Sequence, residues 1–175
     1  MDNTIRTERL LLRPLTPGDL HTAHAYAGDA ALTRYMVYLP NETIEETAAF
    51  LRRAADEWAK VVPSFYEYAV TLGGRHIGAV SVYLDDSRQE GELGWILLAE
   101  HQGHGYAVEA ARAVMDFAVR TLGVGKIAAH CDARNEPSVA VMRKLGLTLE
   151  RSDKLRHNKG DTGDVPELKY SLTIV

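Results

Sequence analysis

The chain has 175 residues and a formal net charge of −4, and its hydrophobic and charged fractions, 46% and 25%, are those of an ordinary globular domain. These values exclude a mainly disordered chain, and the single cysteine excludes a disulfide framework and a multi-cysteine zinc module. No apolar run approaches the roughly 20 residues that cross a bilayer, and the mild acidity argues against a surface that wraps nucleic acid.

We therefore expect a single domain over residues 1–175, with neither nucleic acid nor membrane among its partners and without a metal site. The N-terminus lacks the apolar core of a signal peptide, which favours a cytoplasmic protein.

The first half of the chain predicts one strand, two helices and then three antiparallel strands. Pro14 ends a short apolar strand, and Thr16 can cap the first helix. Thr43 and Glu46 form a capping-box pattern at the start of the second helix. The expected strands span residues 9–15, 65–72, 76–84 and 90–98.

The second half of the chain alternates helices and strands. Apolar side chains recur every three or four positions from residue 105 to residue 122, as on one face of a helix. The other expected elements are strands at 126–131, 148–154 and 168–174 and a short helix at 135–145. The pattern predicts a mixed α/β fold with an antiparallel beginning and one crossover connection.

The chemically informative segment is the turn between the strand at 90–98 and the helix at 105–122. Gly103 and Gly105 lie in this turn, where the free N–H groups of a helix start and the helix dipole favour an anion. Because glycine lets a phosphate approach the backbone closely, the turn predicts a phosphate site. The alternative is that the two glycines only form a tight turn between a strand and a helix.

Two common phosphate loops fit this turn poorly. A Walker A loop needs Lys and then Ser or Thr, but Tyr106 and Ala107 follow the last glycine. The dinucleotide fingerprint needs a third small residue where this chain has Val108. Asp132 nevertheless ends the next strand, where a ribose-binding acid belongs, so a nicotinamide-dependent reductase stays open as an alternative.

Residues 102–107, with the sequence QGHGYA, resemble the Gln/Arg-x-x-Gly-x-Gly/Ala signature of the GNAT superfamily of N-acetyltransferases. Residues 7–14, 92–95, 109–110 and 135–146 resemble further motifs of its RimJ/RimL branch, which acetylates ribosomal proteins. These motifs occur in the right order over nearly the whole chain, so the resemblance is more specific than the glycine turn alone.

The resemblance implies a GNAT fold, a mostly antiparallel mixed sheet of six to seven strands with helices on both faces. The sheet is expected to splay open near a bulge in the strand at 90–98, where the pantetheine arm of acetyl-CoA pairs with Ile96 and Leu97. Asn135 and Ser138 are expected to contact the pantetheine end, although Asn135 also suits an ordinary N-cap. The residues implied to hold the pyrophosphate are Gln102, Gly103, His104, Gly105, Tyr106 and Ala107.

The resemblance also implies catalytic roles, with one departure from the family pattern. Many members use a tyrosine as the acid for the leaving thiolate, but the matching residue here is Met142, which cannot donate a proton. We expect Ser138 to orient or protonate the sulfur, Glu92 to accept the proton of the amine through water, and the N–H of Leu97 to face the oxyanion. Cys131 is expected to pack in the core, which favours direct transfer.

The expected function is therefore transfer of the acetyl group of acetyl-CoA, a co-substrate, to a primary amine in a ternary complex. The acceptor is expected to be a protein N-terminus or a small amine, and the protein a possible homodimer. Because Met142 departs from the family pattern, the alternative stays open that the protein is a module that binds acyl-CoA without catalysis.

Overall fold

The computed structural model describes residues 3–175, and its helices and strands follow the predicted order. The strands are β1 Ile5–Arg6, β2 Leu10–Pro14, β3 Phe65–Leu72, β4 Arg75–Leu84, β5 Glu90–Leu97, β6 Lys126–Asp132, β7 Thr148–Arg156 and β8 Val165–Thr173. The helices are α1 Leu20–Ala27, α2 Ile44–Ala59, α3 Tyr106–Phe117 and α4 Glu136–Lys144, with a π turn at Ala118–Leu122 and 3-10 turns at Pro17–Asp19 and Ala99–His101.

All eight strands of the described chain form one sheet, in the order β1-β2-β3-β4-β5-β6-β8-β7. The mixed α/β fold is confirmed, with one strand more than the six to seven expected. The additional strand, β1, has two residues and pairs with β2 through Ile5 and Leu12. A strand of two residues is too short to show an alternating pattern, so it is recognised only by its pairing with β2.

The sheet opens between β5 and β6. These two strands pair in parallel over three residues, from Glu90 opposite Lys126 to Glu92 opposite Ala128, and then separate. The other pairs within residues 3–175 are antiparallel. The separation leaves a cleft between the second half of β5 and the second half of β6, as the fold class implies.

The bulge expected in the strand at 90–98 lies elsewhere. The pairing of β4 with β5 runs without a register shift from Gly78 opposite Leu97 to Leu84 opposite Gly91. The shift occurs between β3 and β4, where Val70 lies opposite Gly78 but Thr71 lies opposite His76. The cleft therefore results from the short pairing of β5 with β6 and not from an extra residue in β5.

Helices cover both faces of the sheet. One face packs on α3 and α4 around a core that includes Leu12, Tyr68, Val114, Ile127 and Met142, all at most 1% exposed. A second cluster forms where α1 and α2 lie on the opposite face. Burying a Leu or Ile side chain stabilises the folded state by about 1.5–3 kcal/mol, so the two clusters hold the sheet rigid around its cleft.

The second helix begins where its capping pattern predicts. Thr43 Oγ1 accepts a hydrogen bond from the N–H of Glu46 at 3.3 Å. The carboxylate of Glu46 accepts from the N–H of Glu42 and not from that of Thr43. The helix start is confirmed, but the N–H that donates to the Glu46 carboxylate is that of the residue before the N-cap.

Candidate active site

The loop between β5 and α3 exposes its backbone at two glycines in the left-handed region. Gly103 has φ 78° and Gly105 has φ 82°. A Cβ on Gly103 would meet nothing within 4 Å, and one on Gly105 would lie 3.4 Å from the guanidinium of Arg9. A side chain at either position would occupy the space in front of the loop. A ligand can fill this space, which we call the cradle and which residues 102–107 surround.

The start of α3 supplies N–H groups to this cradle. The first N–H of the helix to bond within it is that of Glu109, which donates to the carbonyl of Gly105 at 3.0 Å. The amides of Tyr106, Ala107 and Val108 lie before this bond and have no helical acceptor. Together with the positive end of the helix dipole, these amides fit a diphosphate.

A clamp that sequence reasoning missed fixes the cradle to the N-terminal strands. Thr7 Oγ1, the N–H of Arg9 and Arg9 Nε donate to the carboxylate of Glu109 at 2.6, 2.8 and 2.7 Å. Arg9 Nη1 donates to the carbonyl of His104 at 3.0 Å, and the guanidinium lies 4.6 Å from the ring centre of Tyr106. The clamp gives residues 7–14 a physical role. The sequence feature that could have indicated it is that residues 7–14 and Glu109 both belong to motifs of the family resemblance.

The clamp also changes the acidity of Glu109. Burial alone would raise its pKa, but the hydrogen bonds from Thr7 and from the backbone and side chain of Arg9 outweigh burial and lower the pKa below its ordinary value. Glu109 is therefore ionised at neutral pH and holds Arg9 against the loop.

The backbone of β5 alternates between β4 and the cleft. Leu98 N donates to Ile77 O at 2.9 Å, and Asp85 N donates to Glu90 O at 3.1 Å, so the even-numbered residues of β5 face β4. The amide of Ile96 consequently faces β4, whereas that of Leu97 faces the cleft. Gln102 Nε2 donates to the Leu97 carbonyl at 3.2 Å and joins the loop to the same strand.

Asn135 and Ser138 lie together at the start of α4. Asn135 Oδ1 accepts a hydrogen bond from the N–H of Ser138 at 3.2 Å, so Asn135 is the N-cap of this helix. Both residues are half-buried. Met142, further along α4, is 0% exposed and packs in the core, so its position contributes packing.

Glu92 lies at the apex of the cleft and has a partner that sequence reasoning missed. Its side chain is 50% exposed, and its carboxylate lies 2.9 Å from Nδ1 of His130. The only available signal was the alternation along β6, which places Lys126, Ala128 and His130 on one face. That signal does not identify a partner on another strand.

Asp132 is occupied by protein groups. Its side chain is 0% exposed, and its carboxylate accepts hydrogen bonds from Arg134 and Asn158. Burial would raise its pKa, but these bonds outweigh burial and lower the pKa to about 2. A ribose hydroxyl would have to displace two strong donors, which argues against the reductase alternative.

Cys131 is buried, and burial raises the pKa of its thiol to about 11. A thiol in this state is a poor nucleophile. Within residues 3–175, no group of three or more His, Cys, Asp or Glu side chains is arranged to hold a metal ion. No helix in the described part of the chain is long and apolar enough to cross a membrane.

The fold and cleft define a class of mixed α/β protein with an open sheet and an anion site, and comparison with known proteins identifies the family. The family model described as the acetyltransferase (GNAT) domain matches residues 9–148. The chain belongs to the GNAT acetyltransferase family. This membership and the geometry of Asp132 overturn the reductase alternative.

Three similar proteins illustrate the range of the family. The uncharacterized N-acetyltransferase YnaD of Bacillus subtilis is 30% identical over 83% of each chain. The spermidine N(1)-acetyltransferase of Escherichia coli K12 is 28% identical over 79% of this chain and 73% of its own. The solved structure of RimL, a ribosomal L7/L12 alpha-N-protein acetyltransferase in complex with coenzyme A, has a TM-score of 0.85 over 98% of both chains at 21% identity.

Proposed function

We propose that this protein transfers the acetyl group of acetyl-CoA directly to a primary amine, in a ternary complex, as an enzyme of the RimJ/RimL type. The observation that carries the proposal is the open glycine cradle at the start of α3, joined through Leu97 and Gln102 to the cleft between β5 and β6. A cradle for a diphosphate beside a cleft with free strand amides suits a long ligand with a phosphate end and an extended arm.

The residues that would hold acetyl-CoA divide between the cradle and the cleft. The backbone of Gln102, Gly103, His104 and Gly105 and the amides of Tyr106 and Ala107 would surround the pyrophosphate. Leu97 would pair with the pantetheine arm through its carbonyl, which lies on the cleft side and also accepts from Gln102. Ile96 would contribute through its side chain, which packs toward α1 and α2. Asn135 and Ser138 would meet the thiol end of the arm.

Bound acetyl-CoA supplies an activated acetyl group as a thioester. The protein's own task begins with the amine, which is an ammonium ion at neutral pH and cannot attack until it loses a proton. The group that accepts this proton is proposed to lie at the apex of the cleft, where the carboxylate of Glu92 lies beside His130. The N–H of Leu97 faces the carbonyl oxygen as negative charge develops there, and Ser138 orients or protonates the sulfur.

The acceptor is proposed to be a protein N-terminus or a small amine. Two of the similar proteins support these classes, since one is named for spermidine and the other for the N-terminus of a ribosomal protein. Both acceptors present a primary amine, which is the only group that the proposed chemistry requires. A homodimer and a cytoplasmic location stay predictions.

An amine panel tests the proposal. The purified chain is incubated with acetyl-CoA and with ribosomal N-terminal peptides, polyamines, aminoglycosides or amino acids, and free thiol is measured. We expect thiol release above the amine-free rate with at least one class, and a product heavier by one acetyl group. Binding of acetyl-CoA without turnover on any amine would favour the non-catalytic acyl-CoA-binding module that Met142 suggests.

A further inference from the structure

His130 and Glu92 form a side-chain pair across the apex of the cleft. Glu92 is the last residue of β5 that pairs with β6, and its partner is Ala128. His130 follows two residues later on the same face of β6, where the strands have separated. Its Nδ1 lies 2.9 Å from the carboxylate of Glu92, and its side chain is 20% exposed.

We propose that His130 is the general base of the acetyl transfer and that Glu92 is the positioning residue that holds it; this inference rests on the proposed function. A carboxylate 2.9 Å from Nδ1 favours the tautomer of a neutral imidazole that carries its proton on that nitrogen. Nε2 then carries the lone pair and is free to accept a proton.

The wall of the cleft opposite His130 is formed by β5. If the parallel register is continued, the residue of β5 level with His130 is Gly94. Gly94 has no side chain, and Ser81 Oγ lies 2.8 Å from where its Cβ would be. The next amide of β5, that of Trp95, faces the cleft by the same alternation that directs Leu97 there.

The charged groups around His130 are already paired with other residues. Lys169, opposite His130 on β8, donates to Glu90 at 2.7 Å. Lys126, on the same face of β6, lies 3.2 Å from Glu90. Asp132, two residues further along β6, is held by Arg134 and Asn158. Glu92 is therefore the carboxylate that pairs with the imidazole, while these other charged groups pair with one another.

The proposed step is balanced in protons and electrons. The ammonium gives one proton to Nε2 of His130, and the lone pair that this leaves on nitrogen attacks the thioester carbonyl carbon. The carbon–sulfur bond breaks with its electron pair on sulfur. The second proton of the nitrogen leaves as the amide forms, and it neutralises the thiolate. Ser138 is proposed to pass this proton to the sulfur. The imidazolium of His130 then returns its proton to solvent.

An imidazole suits this step better than the carboxylate alone. A carboxylate ordinarily titrates near pH 4, which is about six pH units below a primary amine, whereas an imidazole titrates closer to neutral pH. A base closer in strength to the amine takes the proton more readily. Glu92 contributes by orienting the ring and by stabilising the imidazolium.

The first experiment compares kcat and KM of the wild type with those of His130→Gln, His130→Asn and Glu92→Gln, on an acceptor found with the amine panel. The exposed His21→Gln on α1 is the matched control. We expect kcat to fall by about 100-fold or more in both His130 variants, with KM for acetyl-CoA within about twofold, and by less in Glu92→Gln. The loss of rate below neutral pH in the wild type should be absent from the His130 variants.

The second experiment uses the nitrogen-15 NMR spectrum of the imidazole, which does not depend on turnover. We expect the neutral ring of His130 to carry its proton on Nδ1 in the wild type, and this preference to weaken in Glu92→Gln. A proton on Nε2 in the wild type would overturn the inference, and so would wild-type kcat and pH dependence in folded His130→Gln. A wild type that releases no thiol with any amine would overturn the proposed function itself.

Discussion

At the residue scale, Asn135 caps α4 and is proposed to contact acetyl-CoA, and one substitution can separate these two roles. Asp caps a helix about as well as Asn, whereas Ala loses about 1 kcal/mol of stability. We therefore expect Asn135→Asp to keep the thermal stability of the wild type and Asn135→Ala to lower it. Both variants should bind acetyl-CoA more weakly, because both lack the amide N–H groups of the side chain. Wild-type affinity in Asn135→Asp, measured by calorimetry, would show that Asn135 acts only as a cap.

Ser138 offers a second test at this scale. The residue bonds to Asn135 through its backbone N–H, so Ser138→Ala leaves that contact intact. We expect kcat to fall by about 10-fold or more while KM for acetyl-CoA changes little, since the hydroxyl is proposed to act on the sulfur. Ser87→Ala, at an exposed turn, is the control. Equal kcat in Ser138→Ala and the control would remove the hydroxyl from the mechanism.

At the scale of elements, the clamp between the N-terminal strands and α3 predicts a pH effect on stability. Because the pKa of Glu109 is lowered by folding, its stabilising contribution is present above the unfolded pKa and is lost as pH falls through the folded pKa. We expect the urea midpoint to decrease less between about pH 6 and pH 3 in Glu109→Gln than in the wild type. Identical decreases would mean that the clamp does not contribute to folding.

The same clamp shows what the sequence could and could not predict. Local patterns located the glycine cradle and all four helices, because caps, glycines and periodicity act over a few residues. The bonds of Thr7 and Arg9 to Glu109 join residues about 100 positions apart, and the pair of Glu92 with His130 depends on the register of two strands. The family resemblance and the alternation along β6 indicate which residues belong to these regions, but a single sequence does not indicate which of them pair. The bulge was misplaced because the family pattern assigns it to the strand beside the cleft.

At the scale of the whole molecule, Glu67 links global stability to pH. This side chain is buried, and Tyr83 Oη lies 3.5 Å from its carboxylate. Burial raises the pKa of its carboxyl from 4.5 to about 8, with Tyr83 and Arg53 opposing that rise. Between these two pH values the folded chain holds a proton that the unfolded chain has lost, so the free energy of unfolding decreases as pH rises.

We therefore expect Glu67→Gln to unfold at a higher urea concentration than the wild type at about pH 8, and at a similar one at about pH 5. Gln has nearly the shape of a protonated Glu, and it cannot ionise. Measuring the midpoint of both chains across this range tests the effect. A wild-type midpoint that does not decline toward pH 8 would contradict the proposed state of Glu67.

The most direct test of the central claim is a calorimetric titration of acetyl-CoA into the wild type, Gly103→Ala and Gly123→Ala. Both glycines have positive φ, 78° and 73°, and open space in front of them, so each substitution costs stability by a similar amount, about 1 kcal/mol. Only Gly103 lies in the cradle at the start of α3. We expect the wild type and Gly123→Ala to bind acetyl-CoA, and we expect an affinity at least about tenfold lower in Gly103→Ala. Equal affinity in all three chains, or no binding by the wild type, would contradict it.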